Sequence, residues 1–308
     1  MTDAGAGRRV AVVDIGSNST RLFLCTGCDA AGPAGERATT ITALRRGARD
    51  DGTLAADAVA RLDACLADYG RRIRDFGADA VAAVATSAVR DAPNRDEVLA
   101  VVAGRLGAPC EVLTGDEEAS LAYAGARLAV EDGAPALVVD VGGGSTEVVY
   151  GAAGLMRHGV SLQLGSVRCT EDHLRGDPPG DAEREALARH VAAVAGPALR
   201  DFPPGQVVGV AGTVTTLAAI LLGGYDPVLV HGMRLGREEI AALTERLASV
   251  PLQERRRIPG LEPERAPVIV AGAVIVLTVL DLLGAPGLVV SERDILDGIA
   301  LRAGCADP

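Results

Sequence analysis

VAVVDIGSNSTRLFLC, residues 10–25, returns in the second half of the chain as ALVVDVGGGSTEVVYG, residues 136–151. Asp14 aligns with Asp140, and Val12, Val13, Gly16, Ser19 and Thr20 align with Val138, Val139, Gly142, Ser145 and Thr146. Each copy reads as one strand-turn-strand unit. An apolar run delivers a carboxylate at the strand end, a Gly/Ser loop turns tightly, and a β-branched run returns beside the first. Backbone amides in such a turn cradle an oxyanion, and the carboxylate suits a hard cation. The repeat therefore predicts a duplicated fold, with a first domain over 1–131, a second over 132–308, a join near Glu131 to Ala134, and both loops facing one interdomain cleft.

The 308 residues are enough for two domains with sizeable cores. Met1 to Arg9 has no apolar core region of a secretory leader, so the expectation is a cytoplasmic protein. Val268 to Leu283, the most apolar stretch, is interrupted by Thr278 and Asp281 and is shorter than the ~20 residues that span a bilayer, so it reads as a buried helix and no membrane partner is expected. The 6 cysteines lack the rhythm of a disulfide scaffold. Cys25 and Cys28 lie at the end of a strand, where residues three apart face opposite ways, and no second pair completes a zinc site. A net charge of −11 excludes nonspecific nucleic-acid binding but not a polyanionic substrate. The chain has no lysine: its 30 basic residues are all arginine, whose planar fork grips phosphate in two places. A Walker-type lysine and Schiff-base chemistry are thereby excluded.

Alternation of strand and helix signals runs through the chain. Strands are predicted at Val10 to Ile15, Thr20 to Cys25 and about Ala38 to Leu44. Leu62, Leu66, Tyr69, Ile73 and Phe76 form one helical stripe. A strand at Asp79 to Ala85, a helix from Asn94, a strand at Cys110 to Leu113 and a helix from Gly115 follow. The second half repeats the strand pair, adds a strand near Met156 to Leu164, and continues with helices around Arg168 and over Glu183 to Leu199. A strand at Val207 to Val210 feeds a helix after Gly212. Tyr225 to Arg234 reads as strand and loop, with helices at Glu238 to Ala248 and Pro267 to Leu283, a strand at Leu288 to Val290 and a closing helix at Asp294 to Leu301.

Several side chains stand where chemistry would need them. Thr114 and Glu117 have capping-box spacing, which gives Glu117 a structural task. Glu118, about 100° further round the helix, has no such task. Asp140 and Glu147 flank the GGGS turn, a pair of oxygen donors suited to Mg²⁺ with retained waters, and Asp14 is their counterpart in the first copy. Where the second copy has Glu147 the first has Arg21, so one loop is tuned to a cation and the other to phosphate. Gly142, Gly143 and Gly144 with Ser145, and Ser17, Asn18 and Ser19 in the first copy, offer amides and hydroxyls to an anion. Thr86, Ser87 and Arg90 follow a strand end, the usual binding edge of an α/β sheet. Gly212 and Thr213 open a helix whose N-terminus attracts anions. His158, His173, His190 and His231 have no metal spacing and read as structural or surface residues. Arg255, Arg256, Arg257 and Arg265 stand as a candidate polyanion track or a solvated patch.

DIGSNSTR beside DVGGGSTE resembles the exopolyphosphatase / guanosine pentaphosphate phosphohydrolase (Ppx/GppA) family of the actin, sugar-kinase and heat-shock-chaperone superfamily. The similarity extends through ATSAVRDAPN (85–94), EVLTGDEEA (111–119), QLGSVRCTE (163–171) and GVAGTVTTL (209–217). The resemblance implies two ribonuclease-H-like domains, Mg²⁺ or Mn²⁺ as cofactor, Glu118 as general base, the Thr86 to Arg90 segment as a phosphate grip, and a homodimer. It implies release of orthophosphate from the end of inorganic polyphosphate. Hydrolysis of guanosine pentaphosphate is the alternative, and an ATP-dependent kinase or actin-like ATPase is further off. Pro267 stands where an aspartate is usual in the family, and Gln163 where a proline is common, which bears on chain-length preference and dimer geometry.

Overall fold

The computed structural model describes residues 8–29, 32–49, 51–129 and 134–304 and divides into two compact units, Met1–Leu128 with Ile295–Pro308, and Ala129–Asp294. The expected join near Glu131 to Ala134 falls mostly on residues 131–133, outside the described residues, as does Cys305.

In the first unit β1 (Arg9–Ile15), β2 (Thr20–Asp29), β3 (Gly32–Thr40), β4 (Ala80–Ala85) and β5 (Cys110–Val112) form one sheet in the order β3-β2-β1-β4-β5. β1 pairs antiparallel with β2 and parallel with β4. β1 is apolar from Val10 to Val13, where both faces are covered. Ala11, Val13 and Ile15 pack with α1 (Ala56–Phe76) and α3 (Arg95–Leu106), and the short α2 (Ser87–Arg90) lies between these two in the chain. Val10 and Val12 face the other way, onto Leu121 and Ala122 of α4 (Gly115–Ala126) and onto Ile295, Leu296, Ile299 and Ala300.

Those last residues belong to α12 (Ile295–Arg302), which the repeat assigned to the second domain over 132–308. The chain instead returns to the first sheet, because α4 and α12 together cover its second face. The contact is close: a Cβ on Gly298 would lie 2.0 Å from the Leu121 carbonyl oxygen. Asp297, fully buried, accepts a 2.6 Å bond from Arg37.

The second unit repeats the plan with β6 (Ala136–Val141), β7 (Thr146–Ala152), β8 (Leu155–Leu162), β9 (Gln206–Val210), β10 (Arg234–Gly236) and β11 (Gly287–Val290), ordered β10-β11-β9-β6-β7-β8. β6 pairs antiparallel with β7 and parallel with β9, as β1 does with β2 and β4. Its helices are α5 (Ser166–His173), α6 (Asp181–Leu199), α7 (Ala211–Leu222), α8 (Pro227–Val230), α9 (Arg237–Ala248), α10 (Leu252–Arg255) and α11 (Ile269–Leu282). α11 is the apolar stretch read as a buried helix, and Ile269 through Val276 are all buried. Among the described residues no helix is long and apolar enough to cross a membrane.

Two local expectations shift. β3 covers Gly32–Thr40 rather than Ala38 to Leu44. As an edge strand it tolerates Gly32 and Pro33, and the chain leaves the sheet after Thr40 to support the first loop. Within Tyr225 to Arg234 the structure forms α8, its first amides at Val228 and Leu229 capped by Asp226 at 2.9 and 3.3 Å with Pro227 at the first helical position. Strand begins only at Arg234.

Candidate active site

The two repeated turns are built alike. The Gly16 amide donates to the Ser19 carbonyl at 2.9 Å, and the equivalent Gly142 amide donates to the Ser145 carbonyl at 3.1 Å. Glycine is required at the first of these by close approach, since a Cβ on Gly16 would meet the Ser19 oxygen at 2.9 Å.

What distinguishes both turns is where their carbonyls go. In the second, the Gly142 oxygen accepts from the Ser166 amide at 2.9 Å, and Gly143 accepts from Val167 at 2.9 Å and from Arg168 at 3.2 Å. Gly144 accepts from the Arg168 guanidinium Nε at 3.0 Å. A trans peptide points its C=O and N–H in opposite directions. Holding these three carbonyls from the α5 side therefore turns the amides of Gly143, Gly144 and Ser145 away from α5, and no described residue accepts from them. In the first turn the Ser17 and Asn18 carbonyls accept from the Arg45 and Ala43 amides at 3.0 and 2.7 Å, which aims the amides of Asn18 and Ser19 in the same manner. Ala43 takes a left-handed φ of 46° to do so. Successive unbonded amides of this kind form an anion cradle.

Side chains complete the first cradle. Ser17 Oγ lies 3.1 Å from Ser87 Oγ, so the β1 turn and the segment after β4 meet at one sheet edge. Thr86 caps that edge through its amide, 3.1 Å from the Ile15 carbonyl. The Asn18 side-chain oxygen is buried with no hydrogen-bond partner among the described residues, an acceptor that calls for a donor or cation from a ligand.

Cross-strand neighbours give the loops opposite charge character. Asp14 stands opposite Arg21, whose Nε and Nη2 donate to its Oδ2 at 3.0 and 2.7 Å. Asp140 stands opposite Glu147, both nearly buried, with Ser161 Oγ donating to Glu147 at 2.7 Å. Two carboxylates directly opposite on one sheet face are like charges that a cation between them would join. That donor set fits Mg²⁺ or Mn²⁺, which takes two protein carboxylates and retains water. Among the described residues no cluster of three or more His, Cys, Asp or Glu forms a fuller metal cage. Asp14, expected as a further metal ligand, receives the Arg21 guanidinium on Oδ2.

Glu117 and Glu118 divide as the sequence predicts at the first of them. Thr114 and Glu117 exchange the capping-box bonds, and these hold the Glu117 carboxyl below its ordinary pKa. Glu118 is buried and pairs with Arg90, whose Nη1 lies 3.1 Å from its carboxylate and 2.8 Å from the Leu113 carbonyl. The expected base and the expected phosphate grip of this unit are thus in contact.

The third turn joins β9 to α7. Ala211 takes a φ of 65°, a strained value for alanine. Thr213 Oγ1 donates to the Val141 carbonyl at 3.0 Å, so its hydroxyl ties α7 to the end of β6. A Cβ on Gly212 would fall 1.9 Å from Nη1 of Arg265, so glycine here makes room for a guanidinium laid over the turn.

The candidate arginine track comes apart. Arg255 is 3 % exposed and donates to the carbonyls of Leu247, Ala266 and Val250. It closes backbone ends and offers nothing to a polyanion. Arg256 and Arg257 are exposed, and Arg265 lies at the third turn. The histidines are spent locally: His158 packs on Phe202, His173 on His190, and His231 Nδ1 accepts from the Glu292 amide at 3.2 Å. Ala43, Arg45 and Arg168, which hold the loops from behind, carry no functional signal of their own in the residue pattern. The only signal for Arg168 was its place in QLGSVRCTE.

Two α/β units built on one strand-turn-strand plan, with anion-cradling turns at their strand ends, are the architecture of the actin and sugar-kinase superfamily. Within it, the chain belongs to the Ppx/GppA phosphatase family, whose model matches residues 35–303. It is 39% identical to "Exopolyphosphatase 2" of Mycobacterium tuberculosis over 95% of this chain and 98% of that one. The crystal structure of an exopolyphosphatase-like protein superposes with a TM-score of 0.91 at 33% identity, covering 97% of this chain and 98% of the other. "Guanosine-5'-triphosphate,3'-diphosphate pyrophosphatase" of Vibrio vulnificus is 28% identical over 97% of this chain, which spans 60% of that protein. The family is one of phosphoanhydride hydrolases.

Proposed function

We propose that the protein is an exopolyphosphatase that releases orthophosphate from the end of inorganic polyphosphate. The observation that carries this reading is the pair of turns whose amides are aimed outward by capture of their carbonyls, with two buried carboxylates facing each other beside the second. The amides of Asn18, Ser19, Gly143, Gly144 and Ser145, with the Thr213 amide in the first turn of α7 and the remaining hydroxyl hydrogen of the Ser17–Ser87 pair, supply donors to phosphoryl oxygens, so catalysis is largely positioning and charge stabilisation. Glu118 takes the proton of the attacking water, its carboxylate held by Arg90. Asp140 and Glu147 hold Mg²⁺ or Mn²⁺, which when bound neutralises phosphate charge. Asp14 orients Arg21 toward the anion, a different task from metal binding. Cytoplasmic residence and a homodimer are part of the same proposal, the latter checked by light scattering.

Hydrolysis of guanosine pentaphosphate is the second reading, favoured by the similarity to the Vibrio protein. It ranks lower because identity and coverage are both greater for the exopolyphosphatase. Phosphate release from long polyphosphate, guanosine pentaphosphate and ATP, measured side by side with and without chelator, separates them. Turnover of guanosine pentaphosphate without turnover of polyphosphate refutes the first reading.

A further inference from the structure

The second turn has a feature that neither the repeat nor the charge pattern explains. Backbone amides of α5 hold the carbonyls of Gly142 and Gly143, as any helix N-terminus placed there would. The Gly144 carbonyl lies beyond their reach and is held by a side chain, Arg168 Nε at 3.0 Å. The same guanidinium donates through Nη2 to Gln163 Oε1 at 2.7 Å. Gln163 lies just ahead of α5 and Arg168 within its first turn, so two side chains five residues apart bracket the helix start and meet behind the loop.

We propose that Arg168 is a positioning residue for the Ser145 amide and that Gln163 acts through it. The peptide linking Gly144 and Ser145 has one carbonyl and one amide, pointing opposite ways. Fixing the carbonyl on the α5 side fixes the amide on the ligand side, whereas a Gly144 carbonyl without that bond leaves a peptide between two small residues free to rotate. A cradle loses affinity when one of its donors must be ordered on binding. The Arg168 backbone amide bonds separately to Gly143 at 3.2 Å, so a side-chain substitution isolates the Gly144 contact. The chain is also adapted to the pair at Gln163, where the family resemblance leads one to expect a proline, whose ring has no side-chain acceptor to offer Arg168.

This inference rests on the proposed phosphohydrolase function, and the test keeps the two apart. Wild type, Arg168→Met, Arg168→Lys, Gln163→Leu and the Arg168→Met/Gln163→Leu double variant are assayed for KM and kcat on polyphosphate. Binding of inorganic phosphate is measured by calorimetry and melting temperature by scanning. Arg168→Met is expected to weaken phosphate binding and raise KM by roughly 10- to 100-fold, the scale of losing a charge-assisted hydrogen bond. Arg168→Lys, with one donor for the same carbonyl, recovers part of that loss. Gln163→Leu costs about 2- to 4-fold, and the double variant matches Arg168→Met because Gln163 has no route except Arg168. A residue serving only the stability of α5 would lower the melting temperature and leave phosphate affinity unchanged, and that outcome overturns the proposal. So does a Gln163→Leu effect that persists in full when Arg168 is already Met. A wild-type protein inactive on polyphosphate and on guanosine pentaphosphate refutes the function itself instead.

Discussion

Replacing Glu147 with Gln should make the metal-free protein more stable while destroying its activity. Asp140 and Glu147 are directly opposed in the β6-β7 ladder, at 8 % and 2 % exposure. Opposed Cβ atoms in such a ladder are about 5 Å apart. Two unit charges at about 5 Å repel by roughly 3 kcal/mol at an effective dielectric constant of about 20. The Ser161 hydroxyl on Glu147 offsets part of that, so a net gain of about 1 to 2 kcal/mol is expected for the neutral variant, or ~2 to 8 °C in melting temperature for a unit of this size. Mg²⁺ reverses the order. A cation at 100 times its dissociation constant stabilises the wild type by about 2.7 kcal/mol, and the variant binds it far less. Melting curves in excess chelator and in saturating Mg²⁺ should therefore cross, with the variant higher in the first and the wild type higher in the second. A variant that melts below wild type in chelator, or an equal Mg²⁺ shift in both, refutes the reasoning.

Glu118→Gln should lower turnover by roughly 10² to 10⁴ with inorganic phosphate binding retained, as measured by single-turnover kinetics and calorimetry. Loss of turnover in Glu117→Gln but not in Glu118→Gln would reverse their roles. Glu117 has a lowered folded-state pKa because the Thr114 amide and hydroxyl bond to it. Its contribution is therefore present above the unfolded pKa and lost as pH falls: the melting-temperature gap between wild type and Glu117→Gln should be full at neutral pH and close between about pH 5 and pH 3. Arg255→Leu should destabilise by about 2 to 4 kcal/mol in denaturant titration, since three carbonyls lose their donor, with no selective effect on long polyphosphate.

Much of the fold was legible because a sequence repeat is a statement about backbone. Matching Asp14 to Asp140 and Gly16 to Gly142 predicts the same ladder, the same turn bond and the same parallel neighbour, all of which occur twice. The repeat was blind to α12, since a helix crossing back to the other unit leaves no trace in the alignment of the copies. Burial of Val10, Val12 and Phe23 against Ile295 and Ile299, with the Arg37–Asp297 bond, assigns it to the first sheet. The arginine run 255–257 misled for a related reason. Composition treats three adjacent arginines alike, but the short helix α10 turns the first inward to three carbonyls and leaves the other two in solvent. Candidate anion donors were found because glycine and serine in a turn after an apolar strand have few other uses. The residues that aim those donors were missed because their contacts run through main-chain carbonyls, to which any residue type can bond.

The two copies share a backbone plan and differ in charge at one cross-strand partner, which makes them an internal control on the electrostatics. Asp14 faces Arg21 in the register where Asp140 faces Glu147. Neutralising that partner should then have opposite signs in the two units. Arg21→Met removes two bonds of 3.0 and 2.7 Å from a carboxylate whose side chain is 6 % exposed, and removal of one member of a buried pair is destabilising. A loss of about 2 to 4 kcal/mol is expected, where Glu147→Gln gains about 1 to 2 kcal/mol without metal. Arg21→Met with Asp14→Asn should recover much of the loss, because the charge left behind is removed as well. The comparison is made by denaturant titration in excess chelator, so that no bound cation contributes. Destabilisation by both Arg21→Met and Glu147→Gln would mean that Asp140 and Glu147 do not repel in the folded protein, and the assignment of a cation to the second turn would lose its physical basis.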